Sequence, residues 1–470
     1  MDSPYAVLIL AAGRGTRMRS DRPKVLHTLA GKPLLLHLID TCHSLRPDGP
    51  AAMAVVVGHQ AEQVERVCQR DIAELYWVHQ QQQLGTAHAV RCALPTLSTV
   101  PCQDVIILNG DTPLVNHEIL TALLQQHRQS GCALTILTTR LVDPAGYGRV
   151  LRDEQGGVVR IVEEKDADPE TRLVDEINSG IYCVDAVYLR SWMEQISNHN
   201  NQGEYYLTDM VALAVQQQVA VGSLCHADSG RLIGINSRQQ LAQTEAILRY
   251  HLVNHWMEQG VTFIDPGSCW VAMDASIGPD SEIAPHVMLG PGVFIDHHCR
   301  IGAFCHISNS RLGAGTELLP FCHLDGCHLV GPNVVGPYAR LRPGTVLEAH
   351  ARVGNFCELK KAHIGTGSKI NHLSYIGDTQ MGGGVNVGAG TITCNYDGLH
   401  KHQTVIGDRV FIGSNTQLVA PVTVGAGAVI GAGSTITRPV PDDALALSRT
   451  PQRHIDHWAS KRRQAGNGGA

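Results

Sequence analysis

The chain has 470 residues, enough for two to four domains, with 17% charged residues and a formal net charge of −6. That balance argues against a global nucleic-acid or anionic-membrane binder; the one basic cluster, Lys461-Arg462-Arg463, adjoins a Gly-rich end that reads as a frayed tail. The 14 cysteines are scattered without CxxC pairs, which indicates neither a zinc site nor a disulfide framework, and no apolar run approaches the ~20 residues of a membrane span.

The start lacks a basic segment, and the short apolar run 6–12 is followed by Arg14 and Arg17. A buried strand is expected there rather than a signal peptide, and a soluble cytoplasmic protein follows. Similar apolar runs lie at 54–57, 105–108 and 134–137, with helix-like stretches at 34–42 and 61–69. Strands alternating with helices predict a doubly wound α/β domain, whose ligands sit beyond the carboxyl ends of strands.

The first strand runs into Ala11-Ala12-Gly13-Arg14-Gly15-Thr16-Arg17-Met18. Successive backbone N–H groups in such a loop can cradle phosphates. No Gly-Lys-Ser/Thr ends it, so it is not a Walker A loop, and the third Gly of the dinucleotide fingerprint is missing. Arg17 and Lys24, the latter behind Pro23, favour phosphate binding over a plain turn. Asn109-Gly110-Asp111 follows another strand. Asp111 there suits Mg²⁺, which takes oxygen ligands; a cap for the helix near His117 fits equally.

Leu241, Leu248, Leu252 and Trp256 recur at roughly helical spacing. They predict a linker helix over 231–262, stopped by Gly260, with Asp265-Pro266-Gly267 turning the chain onward. The expected domains are therefore 1–230, the linker at 231–262, and 263–470.

From 277 to 436 an aliphatic residue recurs every six positions: Ile277, Ile283, Leu289, Ile295, Ile301, Ile307. After one-residue slips the beat resumes at Leu312, Leu318, Leu324, then Val335, Leu341, Leu347, Val353, then Ile364, Ile370, Ile376, and finally Ile406, Ile412, Leu418, Val424, Ile430, Ile436. This is the signature of hexapeptide β-helix repeats. Each hexad supplies a strand and a turn, and three hexads close a triangular coil of about 18 residues. Such solenoids resemble the left-handed parallel β-helix family. His286, His297, His298, His306, His323 and His328 fall outside any motif and are expected as exposed turn residues. His372 is placed differently, in Lys369-Ile370-Asn371-His372-Leu373-Ser374-Tyr375, and can deprotonate an amine near neutral pH. The beat breaks soon after, predicting an extra loop at 393–404, where function often resides.

Several segments now resemble nucleoside-triphosphate:sugar-1-phosphate nucleotidyltransferases: Leu10 to Met18 with Pro23-Lys24, and Gln83-Leu84-Gly85-Thr86-Ala87-His88-Ala89. Gly146-Tyr147-Gly148-Arg149, Ile161-Val162-Glu163, Glu176-Ile177-Asn178-Ser179-Gly180, Gly203-Glu204-Tyr205-Tyr206-Leu207-Thr208-Asp209 and Gly234-Ile235-Asn236-Ser237-Arg238 add to the likeness. With the β-helix, the chain from 7 to 451 resembles the bifunctional family that joins N-acetylglucosamine-1-phosphate uridyltransferase to glucosamine-1-phosphate acetyltransferase. The resemblance implies that Leu10, Ala11, Ala12, Gly13, Gln80, Gly85 and Thr86 hold the uridine of UTP. Gly148, Glu163 and Asn178 would hold the sugar, Arg17 and Lys24 would offset phosphate charge, and Asp111 and Asn236 would bind Mg²⁺. Asn109 and Gly110 flank the metal site, and Asn109 departs from the Tyr of some relatives. Gln80 lies in the run Gln80-Gln81-Gln82-Gln83, which leaves its register open. For Glu163 and Asn178 the bland alternative is a surface polar residue.

In the second domain the resemblance makes His372 the general base. Arg342, Lys360, Tyr375 and Asn386 would bind the sugar phosphate; Ala389, Asn395, Tyr396, Ser414, Ala432 and Arg449 would line the acetyl-CoA site. Ala389 and Ala432 are also good turn residues, and Lys360-Lys361 could be a solvated edge. A homotrimer, a short closing helix over 452–463, and no nucleic-acid or membrane partner are expected. Two other readings stay open: a single-activity nucleotidyltransferase with a regulatory β-helix, and a non-catalytic trimerisation rod.

Overall fold

The computed structural model describes residues 4–45, 49–70, 72 and 75–466; the first three residues and the Gly-rich end 467–470 lie outside them. Two compact units emerge, Met1–His251 and Leu252–Ala470.

The strands of the first unit, in chain order, are β1 (Tyr5–Leu10), the hairpin β2 (Thr28–Leu29) and β3 (Lys32–Pro33), β4 (Ala52–Val57), β5 (Leu75–His79), β6 (Asp104–Asn109), β7 (Leu134–Arg140), β8 (Arg149–Arg152), β9 (Val158–Val162), β10 (Glu176–Asp185) and β11 (Val221–Cys225). Its helices are α1 (Leu34–His43), α2 (Ala61–Cys68), α3 (Thr86–Leu97), α4 (His117–Ser130), α5 (Ala186–Gln195) and α6 (Asp209–Gln216). The main sheet runs β11-β7-β10-β6-β1-β4-β5. β1 lies between parallel neighbours β4 and β6, so both its faces are covered and it reads as an unbroken apolar run. Leu8 faces a core shared with Val90, Leu189, Trp192 and Met210 of α3, α5 and α6. Val7 and Ile9 face the opposite core, with Leu38, Val64 and Ile119 of α1, α2 and α4. Helices thus cover both faces, as a doubly wound sheet requires. The four apolar runs account for β1, β4, β6 and β7. None of those four runs covers β10, which is antiparallel to β6 and β7; its second half, Ile181 to Val184, is apolar, but its first half carries Glu176, Asn178, Ser179 and Gly180, and its pairing with β7 shifts register between Asn178 and Ile181.

Helix α7 (Arg238–Glu258) contains the dividing line between the units. In the first unit Glu245 Oε2 accepts from Ala30 N at 2.9 Å. In the second, Val253 joins the β-helix core and Trp256 packs against it. Residues 231–237, expected in the linker, precede this helix, and Leu232 and Ile235 are buried.

Short parallel strands between 262 and 446 wind as a left-handed parallel β-helix. The beat residues pair across coils: Ile277 with Ile295, Ile283 with Ile301, Leu289 with Ile307. Where the sequence slips by one, the column absorbs it, and Ile295 still meets Leu312. Leu329, Leu359, Met381 and Thr393 fill places where the beat falls silent. Six cysteines, Cys269, Cys299, Cys305, Cys322, Cys327 and Cys357, occupy one repeated buried position two residues before an inward aliphatic residue. Ser281, Thr316, Thr345 and Ser368 take it in other coils, so these thiols are small packing groups.

Two expectations are corrected. His306, His323 and His328 are exposed but stand on strands, outward neighbours of inward residues, rather than on turns. The last helix, α8 (Trp458–Gly466), starts later than expected, and residues 451–459 are all exposed, so this polar segment does not cover the last coil.

His37 on α1 is buried, with Nε2 donating to Leu29 O at 2.9 Å. Burial pushes its pKa down from 6.5 to about 4, against the opposing effect of that bond. Between those values the unfolded state binds the proton and the folded state does not. Stability of the first unit should therefore fall as pH drops from 6.5 toward about 4, by up to about 3 kcal/mol, and level off below. Urea melts of the full chain across this range should show that slope, and His37→Gln should flatten it.

Candidate active sites

At the carboxyl ends of β1, β5 and β6 a cleft of about 970 Å³ opens in the first unit. The loop after β1 supplies Leu10, Ala11, Ala12 and Gly13, and the 3-10 turn Thr16–Met18 adds Arg17. Gly15 has φ of 60°, and a Cβ there would lie 2.6 Å from Lys24 Cβ. Glycine at this point therefore lets Lys24 come in beneath the loop. Lys24 Nζ lies 2.5 Å from Asp111 Oδ2 and donates to Asn236 Oδ1 at 3.0 Å. Asp111 O accepts from Ile235 N at 2.8 Å, which ties the end of β6 to the segment before α7. Gly110 lies behind the cleft, its N donating to Leu10 O at 2.8 Å. Asn109 lines the cleft and packs on the backbone of Gly180.

The Asp111 carboxylate and the Asn236 amide oxygen converge on one point, taken by the Lys24 ammonium. Two protein oxygens suit a Mg²⁺ shared with substrate phosphates and water rather than an all-protein cage.

The far side of the cleft holds Gln80, Gly85 and Thr86. Gln80 is 3% exposed and its Nε2 donates to Gly85 O at 3.1 Å; Gln81, Gln82 and Gln83 line the cleft as well. Thr86 begins α3, and its Oγ1 accepts from Leu207 N at 3.0 Å. Asn178 is buried, with Oδ1 accepting from Gly180 N and Nδ2 donating to Tyr182 Oη at 2.7 Å. Asn178 N donates to Gly148 O at 2.9 Å. Glu163 accepts from Thr208 Oγ1 at 3.1 Å. Burial first, then Asp166, Asp209 and Glu204, push its pKa up against that bond. Neither Asn178 nor Glu163 is an ordinary surface residue. Tyr147 and Thr208 also shape the site: Tyr147 lines the cleft, and Thr208 holds Glu163. Both stand inside the quoted motifs, but their types alone assigned them no role.

On the β-helix one corner carries a column. Leu373 N donates to Asn355 O, Asn415 N to Ala389 O, and Gly433 N to Ser414 O. Asn355, His372, Ala389, Ser414 and Ala432 thus occupy one place in successive coils. Arg449 Nη1 donates to Ala432 O at 3.0 Å. His372 is exposed, and its Nδ1 lies 2.8 Å from Asn355 Oδ1.

The adjoining face carries a second group. Arg342 Nη1 lies 2.8 Å from Glu358 Oε1, and Glu358 pairs in register with Tyr375. Asn395 Nδ2 donates to Asp378 Oδ2 at 2.5 Å. Lys401 lies beside Lys360 and pushes the Lys360 amine below its usual range. Lys401, absent from the sequence-based set, comes from the extra loop, where it bridges to Tyr396. That loop is narrower than expected: Thr393 and Thr404 are buried, with Thr393 in the inward column and Thr404 paired across the coils, and the chain departs between them. Asp397 shapes the loop, accepting from Leu399 N, His400 N and His402 Nε2, and these donors hold its carboxyl well below the usual range. Asn386 is set apart from the Arg342 group, on the face that carries Lys369.

Residues 7–167 match the family profile of the MobA-like NTP transferase domain, and 403–438 match that of the bacterial transferase hexapeptide. The chain is 46% identical over 453 residues to the bifunctional protein GlmU of Pelobacter propionicus, covering 96% of this chain and 97% of the relative. It is 47% identical over 455 residues to the bifunctional protein GlmU of Heliobacterium modesticaldum, covering 97% and 98%. The corresponding protein of Trichlorobacter lovleyi is 45% identical over 461 residues, 98% of this chain and 99% of the relative.

Gly15→Ala should force Lys24 off its two oxygen partners. UTP affinity, read by calorimetry with Mg²⁺, should fall at least about tenfold, because a 1.4 kcal/mol loss of phosphate contact suffices. An unchanged affinity would remove Lys24 from the phosphate site.

Proposed function

The chain belongs to the family of bifunctional GlmU proteins, and from that premise we propose how its two units divide two transfer reactions. It is a transferase of UDP-N-acetylglucosamine synthesis. Glucosamine 1-phosphate is acetylated from acetyl-CoA, and the N-acetylglucosamine 1-phosphate formed then receives the uridylyl group of UTP, releasing pyrophosphate.

The first unit performs uridylyl transfer. Leu10, Ala11, Ala12, Gly13, Gln80, Gly85 and Thr86 hold the uridine, and Gly148, Glu163 and Asn178 hold the sugar. The sugar phosphate oxygen attacks the α-phosphorus in line, and no protein nucleophile is required. Arg17 and Lys24 offset the charge that builds on the phosphates. Asp111 and Asn236 would hold Mg²⁺, which when bound neutralises triphosphate charge. The observation that carries this reading is the meeting of Lys24, Asp111 and Asn236 in one cleft.

The β-helix performs acetyl transfer. His372 takes a proton from the glucosamine amine as its nitrogen attacks the thioester carbonyl; the C–S bond breaks and coenzyme A leaves. Arg342, Lys360 and Lys401 supply positive charge for the sugar phosphate, with Tyr375 and Asn386 as polar partners. Asn395, Tyr396, Ala389, Ser414, Ala432 and Arg449 line the acetyl-CoA site. No cysteine serves as acyl carrier; Cys394, the one beside the loop, has its thiol pushed up by burial. The column joining His372 to Ala389, Ser414 and Ala432 carries this reading.

The protein works as a homotrimer, with the acyl site completed between neighbouring β-helices. The separation of Asn386 from the Arg342 group supports this. So does a row of stacked rings on the His372 corner, Phe304, Phe321, Tyr338 and Phe356, each about half exposed. Among the described residues no helix is long and apolar enough to cross a membrane, and we place the enzyme in the cytoplasm with its co-substrates.

His372→Ala should lower acetyl transfer by about 10²- to 10⁴-fold and leave uridylyl transfer intact; Asp111→Ala should do the reverse. An end-to-end assay with glucosamine 1-phosphate, acetyl-CoA, UTP and Mg²⁺ should accumulate N-acetylglucosamine 1-phosphate in the second variant. Retained acetylation in the first would remove His372 from the role of base.

A further inference from the structure

Asn355 Oδ1 lies 2.8 Å from His372 Nδ1, one coil away on the same corner. An amide oxygen can only accept, so this contact requires the proton on Nδ1, and in the neutral ring that leaves the Nε2 lone pair free. We propose that Asn355 is a positioning residue for acetyl transfer: it holds His372 in the Nδ1–H tautomer and presents Nε2 to the substrate amine. The inference rests on the reading of His372 as the base.

The fold invests in this contact. Among the described residues, strands on this face are two residues long except Arg352–Asn355 and Lys369–His372, which run four. In these two coils regular pairing continues past the inward residues Val353 and Ile370 and ends on Asn355 and His372 themselves. Leu373 N donates to Asn355 O at 3.1 Å, tying the backbones just beyond the ring. Gly354 makes the approach feasible: a Cβ there would lie 1.9 Å from Asn371 O. Asn355 is half-buried while His372 is exposed, so one edge of the imidazole is anchored and the other is open to substrate.

A carboxylate at 355 would also accept from Nδ1, but its charge would stabilise the imidazolium and deplete the free base near neutral pH. An amide orients without that charge. Glu358, a carboxylate on the adjoining face, is engaged with Arg342 at 2.8 Å. In the reaction Nε2 accepts one proton from the amine while the new N–C bond forms and the C–S bond breaks. With the opposite tautomer Nε2 carries a proton and cannot act.

The test uses the full-length protein and compares Asn355→Ala with Asn355→Asp. Asn355→Ala should lower kcat for acetyl transfer by about 10- to 100-fold, as loss of an orienting partner does elsewhere. KM for glucosamine 1-phosphate should change by less than about threefold. Asn355→Asp, which can only accept, should recover most of kcat at alkaline pH and move the acid limb of the kcat profile up by about one pH unit. Arg352, Lys369 and Glu358, the charged groups on the packed strands, are common to all variants, so the shift reports position 355. A wild-type kcat in Asn355→Ala would overturn the proposal. Equal losses in both variants with an unmoved acid limb would also do so, because a merely structural residue behaves that way. If His372→Ala retains acetylation, the base assignment fails first; if it is inactive while both Asn355 variants match wild type, only this inference fails.

Discussion

The second unit depends on one contact repeated along its length: an inward aliphatic side chain resting on its counterpart one coil along. Each such pair removes apolar surface from water on both sides, and a backbone pairing accompanies it. Because the contact recurs at a nearly fixed interval, position in sequence converts directly into position in space. Every outward residue is thereby indexed. The stacked rings from Phe304 to Phe356 and the column from Asn355 to Ala432 follow from the same indexing. A site on such a rod is a row read across coils, so its chemistry comes from which residues share a hexad position.

The first unit gathers its site differently. Lys24, Asp111 and Asn236 are far apart in sequence and meet because parallel strands all release their loops at one end. The sheet provides the rigid frame, and local backbone features such as the φ of Gly15 set the last ångströms. Few of these residues repeat, so no periodicity marks them.

This contrast explains what could be read from the residues. The hexad beat was legible because each strand needs one apolar inward residue and little else. It faltered at Thr393, whose hydroxyl accepts from Gly377 N at 2.7 Å and so fits a core position without being aliphatic. Strand β10 stayed hidden for a related reason: Asn178 and Ser179 are buried with their polar atoms satisfied by neighbouring groups, and a polarity pattern cannot report that. The glycine loop and its cations pointed to phosphate chemistry by residue type. The partners that tune the site, Thr208 on Glu163, Lys401 beside Lys360 and Asn355 on His372, are common polar residues whose value lies only in where the fold sets them.

Lys24 already fills the point where two oxygen donors meet. A zinc finger cannot assemble its ligand loops without its ion, so metal supply governs its maturation. Here an ammonium from the chain itself serves as counter-ion to Asp111, and main-chain bonds from Ile235 N to Asp111 O and from Gly110 N to Leu10 O hold the surrounding loops. If Mg²⁺ is held there as proposed, it would come and go with the nucleotide, as part of what the enzyme turns over rather than part of what it is made of, and its removal would leave these bonds within the chain in place.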